Sequence, residues 1–141
     1  EILPAVKAKI EDYVNRGDEV IFTRDPHERD YLQTAEGKKL PVEHCIRGTE
    51  GWQIADGLYV EGCKIIDKPN FGWPHWDKET LESVELIGLC TDICVISNAI
   101  VTKAASPEIP ITVDASCCAG VTPQSHKNAL EAMKMCQIEI I

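Results

Sequence analysis

Val84-Glu85-Leu86-Ile87-Gly88-Leu89-Cys90-Thr91-Asp92-Ile93-Cys94-Val95-Ile96-Ser97-Asn98 passes from an apolar run, through a glycine, into an amphipathic segment. A short apolar run bounded by a breaker suits a strand covered on both faces, so Val84 to Ile87 reads as a buried parallel strand that ends at Gly88. From about Ile93 to Ala105 the chain has neither Gly nor Pro and reads as a helix. Cys94 then falls in its first turn. Backbone N–H groups at a helix start favour negative charge, and the thiolate is the reactive form of cysteine. Cys94 is therefore a candidate nucleophile, and the same N–H groups are candidates to stabilise an oxyanion. The alternative is that Cys94 is one more small buried apolar residue.

The flanking sequence repeats this alternation of strand and helix. Residues 2 to 16 carry Leu3, Val6, Ile10, Tyr13 and Val14 at helical spacing, with Pro4 in the first turn and Gly17 past the end. Glu19 to Thr23, Gly62 to Pro69, Ile109 to Asp114 and Gln137 to Ile141 read as strands. Asp77 to Ser83 reads as a short helix. Thr122-Pro123 opens the last helix, a capping residue followed by proline, with Ala129, Leu130, Met133 and Cys136 along its apolar side. The expected fold is α/β: a three-layer, Rossmann-like, mostly parallel sheet with helices on both faces, whose ligands bind at the carboxyl ends of the strands. Asp25, Lys68 and Cys94 all fall at or just beyond such ends.

Composition narrows the partners. A chain of 141 residues with 44% apolar content suits one domain with one core. A net charge of −9 repels nucleic acid and anionic membranes, which leaves a small molecule as the expected substrate. No apolar run approaches the ~18 residues that span a bilayer, and no basic-then-apolar leader opens the sequence, so a cytoplasmic location is expected. The seven cysteines are odd in number and form no matched C-x-x-C pairs, which indicates neither a disulfide framework nor a zinc ribbon. Cys117 and Cys118 read as packing residues at a strand exit.

Two loops carry further chemistry. In Arg24-Asp25-Pro26-His27 the residues two apart point the same way along an extended segment, so Asp25 and His27 could converge, with His44 as a third ligand for a metal. An Asp-x-His pair is also common as a turn closed by a hydrogen bond. Glu28 to Val42, polar with Gly37 and Pro41, reads as a long loop, and such loops are more often functional than idle. Asn70-Phe71-Gly72-Trp73-Pro74-His75-Trp76 suits the wall of a pocket for a flat ring through Phe71, Trp73 and Trp76, or equally aromatic packing over the core edge.

Lys68 with Pro69-Asn70-Phe71, and Gly88-Leu89-Cys90-Thr91-Asp92-Ile93-Cys94-Val95, resemble the most characteristic segments of the isochorismatase-like cysteine hydrolases, which include nicotinamidase. The resemblance extends to Thr23-Arg24-Asp25-x-His27, His44-Cys45-x-x-Gly48-Thr49-x-Gly51 and Asp114-Ala115. It implies hydrolysis of an amide C–N bond in a small molecule by an Asp–Lys–Cys triad, with a thioester on Cys94 and Lys68 favouring the thiolate. It also implies a cis peptide at Leu89–Cys90, an oxyanion hole from the N–H groups of Cys90 and Cys94, and a homo-oligomer. A divalent metal (zinc, iron or manganese) would be held by Asp25, His27 and His44.

Two departures qualify this picture. Where some nicotinamidases carry a further metal-site histidine, this loop has Tyr31, Leu32 and Gln33. The family's catalytic Asp belongs to a central first strand ahead of the helix at residues 2 to 16, and neither Asp92 nor Asp114 stands at its position. The expectation is that the 141 residues are part of a longer chain; by themselves they would fold poorly and be inactive. The competing readings are a non-catalytic or thiol-redox protein on the same scaffold, and an isochorismatase-type hydrolase, a branch that lacks the nucleophilic cysteine.

Overall fold

The computed structural model describes residues 1–76 and 81–141. They form two compact units, Ile10–Asn70 and Glu1–Lys9 with Phe71–Ile141. The fold is mixed α/β, as expected, and every described strand pair is parallel. The strands fall into two sheets, of order β1-β2 and β3-β4-β5.

Helix α1 (Leu3–Arg16) stops at Gly17, whose φ of +81° a residue with a side chain adopts only with strain. In the smaller unit, β1 (Ile21–Arg24) pairs with β2 (Lys64–Asp67) from Ile21↔Lys64 to Arg24↔Asp67. Arg24 clamps this ladder with one edge of its guanidinium, Nε and Nη2 donating to the two Asp67 carboxylate oxygens at 2.8 and 3.1 Å, and stacks 3.8 Å from the centre of the Trp52 ring. The connection read as a loop over 28–42 is folded into a 3₁₀ turn, Tyr31–Gln33, and the short helix α2 (Ala35–Lys39). Its physical cause is a cap. The Thr34 hydroxyl accepts the Gly37 N–H at 3.0 Å, satisfying one of the donors a helix start leaves open.

In the larger unit, β3 (Val84–Leu89) runs beyond the expected break at Gly88. That glycine takes a φ of +116°, and the register with β4 (Ile111–Ala119) shifts between Leu86 and Gly88. β4 is longer than the sequence pattern suggests. It includes Cys117 and Cys118, both buried, so these are packing residues inside the strand. Helix α4 (Pro123–Met135) begins with a reciprocal box between Thr122 and Ser125, and Ala129 and Met133 face the core, whereas Cys136 is exposed at the helix end. β5 is Glu139–Ile140. Val95, Ala99, Ile111, Val113, Cys118, Met133 and Ile138 make the core of this unit. Of the helix expected over 77–83, residues 77–80 lie outside the described residues and 81–83 are not helical.

Candidate functional site

At the carboxyl end of β3 the Leu89–Cys90 peptide is cis, and the chain enters a wide π-helical turn, Thr91–Val95, that continues into α3 (Ile96–Ala105). The N–H groups of Ile93 and Val95 both converge on the Cys90 carbonyl at 3.1 Å, which winds the turn around that oxygen. Cys94 sits half-buried within it. The turn is anchored on both sides. The Thr91 hydroxyl, fully buried, lies 2.8 Å from Nδ1 of His126, and the Asp92 carboxylate accepts the Val121 N–H at 3.1 and 3.3 Å. Burial would raise the Asp92 carboxyl, but hydrogen bonds from the Ser125 side chain and the Val121 N–H outweigh it and hold it below the usual carboxylate range.

The same unit separates inert thiols from the candidate nucleophile. Burial pushes Cys118 up to about 11 and raises Cys117 as well, so both stay protonated at neutral pH. The seven cysteines form no disulfide. Phe71 is exposed, Trp73 half-buried with its ring edge-on to His75 at 5.0 Å, and Trp76 half-buried. Asn98 on α3, which the sequence reading did not single out, fastens this aromatic loop: its side chain accepts from Trp73 N–H and donates to the Phe71 carbonyl.

In the smaller unit, Lys68 follows β2 and is buried at 2% exposure. Its ammonium donates to the Asp25 carboxylate and, at 3.3 Å, to the Asn70 carbonyl. His27 and His44 come together through main-chain bonds between their segments: His27 N–H donates to the Cys45 carbonyl at 3.0 Å, and Arg47 N–H to the His27 carbonyl at 2.8 Å. Their rings stand 4.8 Å apart, each also against the buried Tyr31 ring. The carboxylate that joins them is Glu36. Its Oε1 lies 3.5 Å from His27 Nε2 and 3.6 Å from His44 Nε2, and the three possible ligand atoms lie within 4.8 Å of one another. Asp25, expected in this set, is not one of the three; it partners Lys68.

The donor chemistry fits a cation. His27 Nε2 is buried with no hydrogen-bond partner. His44 Nδ1 lies 2.7 Å from the Val42 carbonyl, which only accepts, so Nδ1 donates there and Nε2 is the ring nitrogen turned toward Glu36. Two imidazoles and a carboxylate suit a divalent transition metal with positions left for water or substrate. The signal for Glu36 was present in the sequence as Thr34, a helix-capping residue that places Glu36 in a first turn.

The chain's backbone is similar to several solved structures. It superposes on the nicotinamidase from Bacillus subtilis with a TM-score of 0.82 at 23% identity, covering 99% of this chain and 83% of that one. For the pyrazinamidase of Pyrococcus horikoshii, solved in complex with zinc, the values are 0.80, 21%, 99% and 84%. For an isochorismatase family protein from Desulfovibrio vulgaris they are 0.83, 18%, 99% and 78%. No helix among the described residues is long and apolar enough to cross a membrane. The family model for the isochorismatase domain matches residues 1–141, and with it the chain belongs to the isochorismatase family of hydrolases.

Proposed function

We propose that this protein hydrolyses the C–N bond of a small, non-peptide amide, nicotinamide being the first substrate to test, with Cys94 as nucleophile. The observation that carries the reading is the position of Cys94: half-buried in the turn that opens a helix at the carboxyl end of a parallel strand, the place where ligands bind in such sheets. In the proposed reaction the Cys94 thiolate attacks the carbonyl carbon, forming a C–S bond. The N–H groups of Cys90 and Cys94 donate to the oxyanion. The C–N bond breaks as the leaving nitrogen takes up a proton from a general acid, and water then cleaves the thioester to release the carboxylic acid and the thiol. Lys68 has the role of favouring the thiolate, and Phe71, Trp73 and Trp76 that of walling the acyl group.

His27, Glu36 and His44 would hold the metal, for which zinc, iron and manganese all suit the donor set. Bound there, such an ion supplies Lewis acidity toward a carbonyl or nitrogen of the substrate. The homo-oligomer and the cytoplasmic location belong to the same proposal.

Release of ammonia from nicotinamide by the purified protein tests it directly. Cys94→Ala is expected to abolish turnover, a fall of at least ~10³-fold, with circular dichroism unchanged. Turnover that persists in this variant sinks the reading.

A further inference from the structure

Three main-chain groups from two segments converge on one side chain. Asn98 is 6% exposed; its Oδ1 accepts the Trp73 N–H at 2.9 Å, and its Nδ2 donates to the Phe71 carbonyl at 2.9 Å and the Cys94 carbonyl at 2.8 Å. Both amide hydrogens are used, and the orientation is forced. Two carbonyls must face the NH₂, and an N–H must face the oxygen. Between the two anchored residues, Gly72 lies so close to α3 that a Cβ there would stand 3.1 Å from Val101 Cγ2 and 3.2 Å from the Ser97 carbonyl oxygen. The aromatic loop is therefore seated on α3, tightly enough that one added side-chain carbon would push its neighbours by a few tenths of an ångström.

The bond to the Cys94 carbonyl is the informative one. The same amide that fastens the main chain at Phe71 and Trp73 also donates to the carbonyl of the residue bearing the candidate nucleophile, so the aromatic loop and the Cys94 turn share one rigid planar group. A buried side chain with every bond satisfied holds such a spacing more tightly than apolar packing does, because each lost bond leaves a buried group unpaired.

We infer that Asn98 is a positioning and specificity residue: it sets the spacing between the aromatic wall and Cys94, and thereby favours flat aromatic acyl groups over small aliphatic ones. This rests on Cys94 being the reactive residue of the proposed function. Loss of Asn98 lets the wall drift while the thiol itself stays where its turn holds it, through Cys90, Thr91 and Asp92.

The test uses two alkylating reagents that each form a C–S bond as iodide leaves: iodoacetamide, which needs no wall, and iodoacetanilide, which carries a flat ring. Labelling of Cys94 is followed by peptide mass spectrometry. In the native protein iodoacetanilide is expected to react faster; in Asn98→Ala its rate falls by about tenfold or more while that of iodoacetamide changes by less than about twofold. Gly72→Ala, which pushes the wall without touching Asn98, is expected to show the same pattern and decides the matter where Asn98→Ala does not fold. Absence of an aromatic advantage in the native protein, or its survival in the variants, overturns the inference. An aromatic advantage that these variants remove, in a native protein that releases no ammonia from amides, sinks the hydrolase reading and leaves the role of Asn98 standing.

Discussion

Lys9 and Asp114 show how a charge can sit at the edge of an apolar core. The Lys9 ammonium lies 2.7 Å from Glu85 and 2.9 Å from Asp114, and Ser116 donates to Asp114 through both its N–H, at 2.9 Å, and its hydroxyl, at 2.6 Å. Burial would raise the Asp114 carboxyl, but the hydrogen bonds from Lys9 and Ser116 prevail and bring it to about 2 against an ordinary 3.8. Hydrogen bonds to Asp114 and then Glu85 push Lys9 up in turn. A depressed carboxyl stabilises the folded state above its unfolded pKa and ceases to as pH falls through the folded one. The Asp114 contribution, on the order of 2 kcal/mol, is therefore expected in full above about pH 4 and lost towards pH 2. Urea unfolding across that range should show the loss in native protein. In Lys9→Met, which leaves two acids facing each other without their cation, stability at pH 7 should drop by about 1–3 kcal/mol and the acid dependence should flatten.

At the scale of elements, α2 is the clearest case of a tertiary constraint on sequence. Gly37 rests on the Tyr31 carbonyl, where a Cβ would meet the oxygen at 2.0 Å and the carbon at 2.7 Å. No side chain fits unless α2 lifts, and Glu36 lifts with it. Gly37→Ala is thus expected to weaken binding of zinc by ~10–100-fold, the scale for residues that support metal ligands, as read by competition with a chromophoric chelator. Affinity equal to that of the native protein would show that Glu36 is not a ligand. Most elements were legible from local pattern. α1 and α4 carry their own stop and start signals, Gly17 and Thr122-Pro123, and the passage from apolar run through Gly88 to helix placed Cys94. What local pattern missed were extensions that depend on neighbours. β4 continues through Ser116 because Cys117 and Cys118 pack into the core and Gly88 and Leu89 pair with Cys118 and Ala119.

For the chain as a whole, a metal that binds only folded protein must raise its stability, by about 2.7 kcal/mol when the free ion is at a hundred times its dissociation constant. Added zinc is expected to raise the melting temperature of the native protein, and His44→Ala is expected to remove the increase. An equal increase in that variant would place the ion elsewhere. The sequence by itself determined the α/β class, the parallel pairing of its strands, the seat of Cys94 in a helix-opening turn, the place of Lys68 at the end of its strand, and the meeting of His27 with His44. These follow from hydrophobic period, helix caps and glycine breaks, all of which are local, or from a resemblance carried by short motifs. Only the tertiary structure brought the Glu36 carboxylate within 3.6 Å of both histidines and the Lys68 ammonium onto Asp25, and tied the aromatic loop to the Cys94 turn through Asn98. Those choices turn on which polar groups become buried together, and a buried polar group takes whichever partner the packing brings within about 3 Å, however far apart the two stand in sequence.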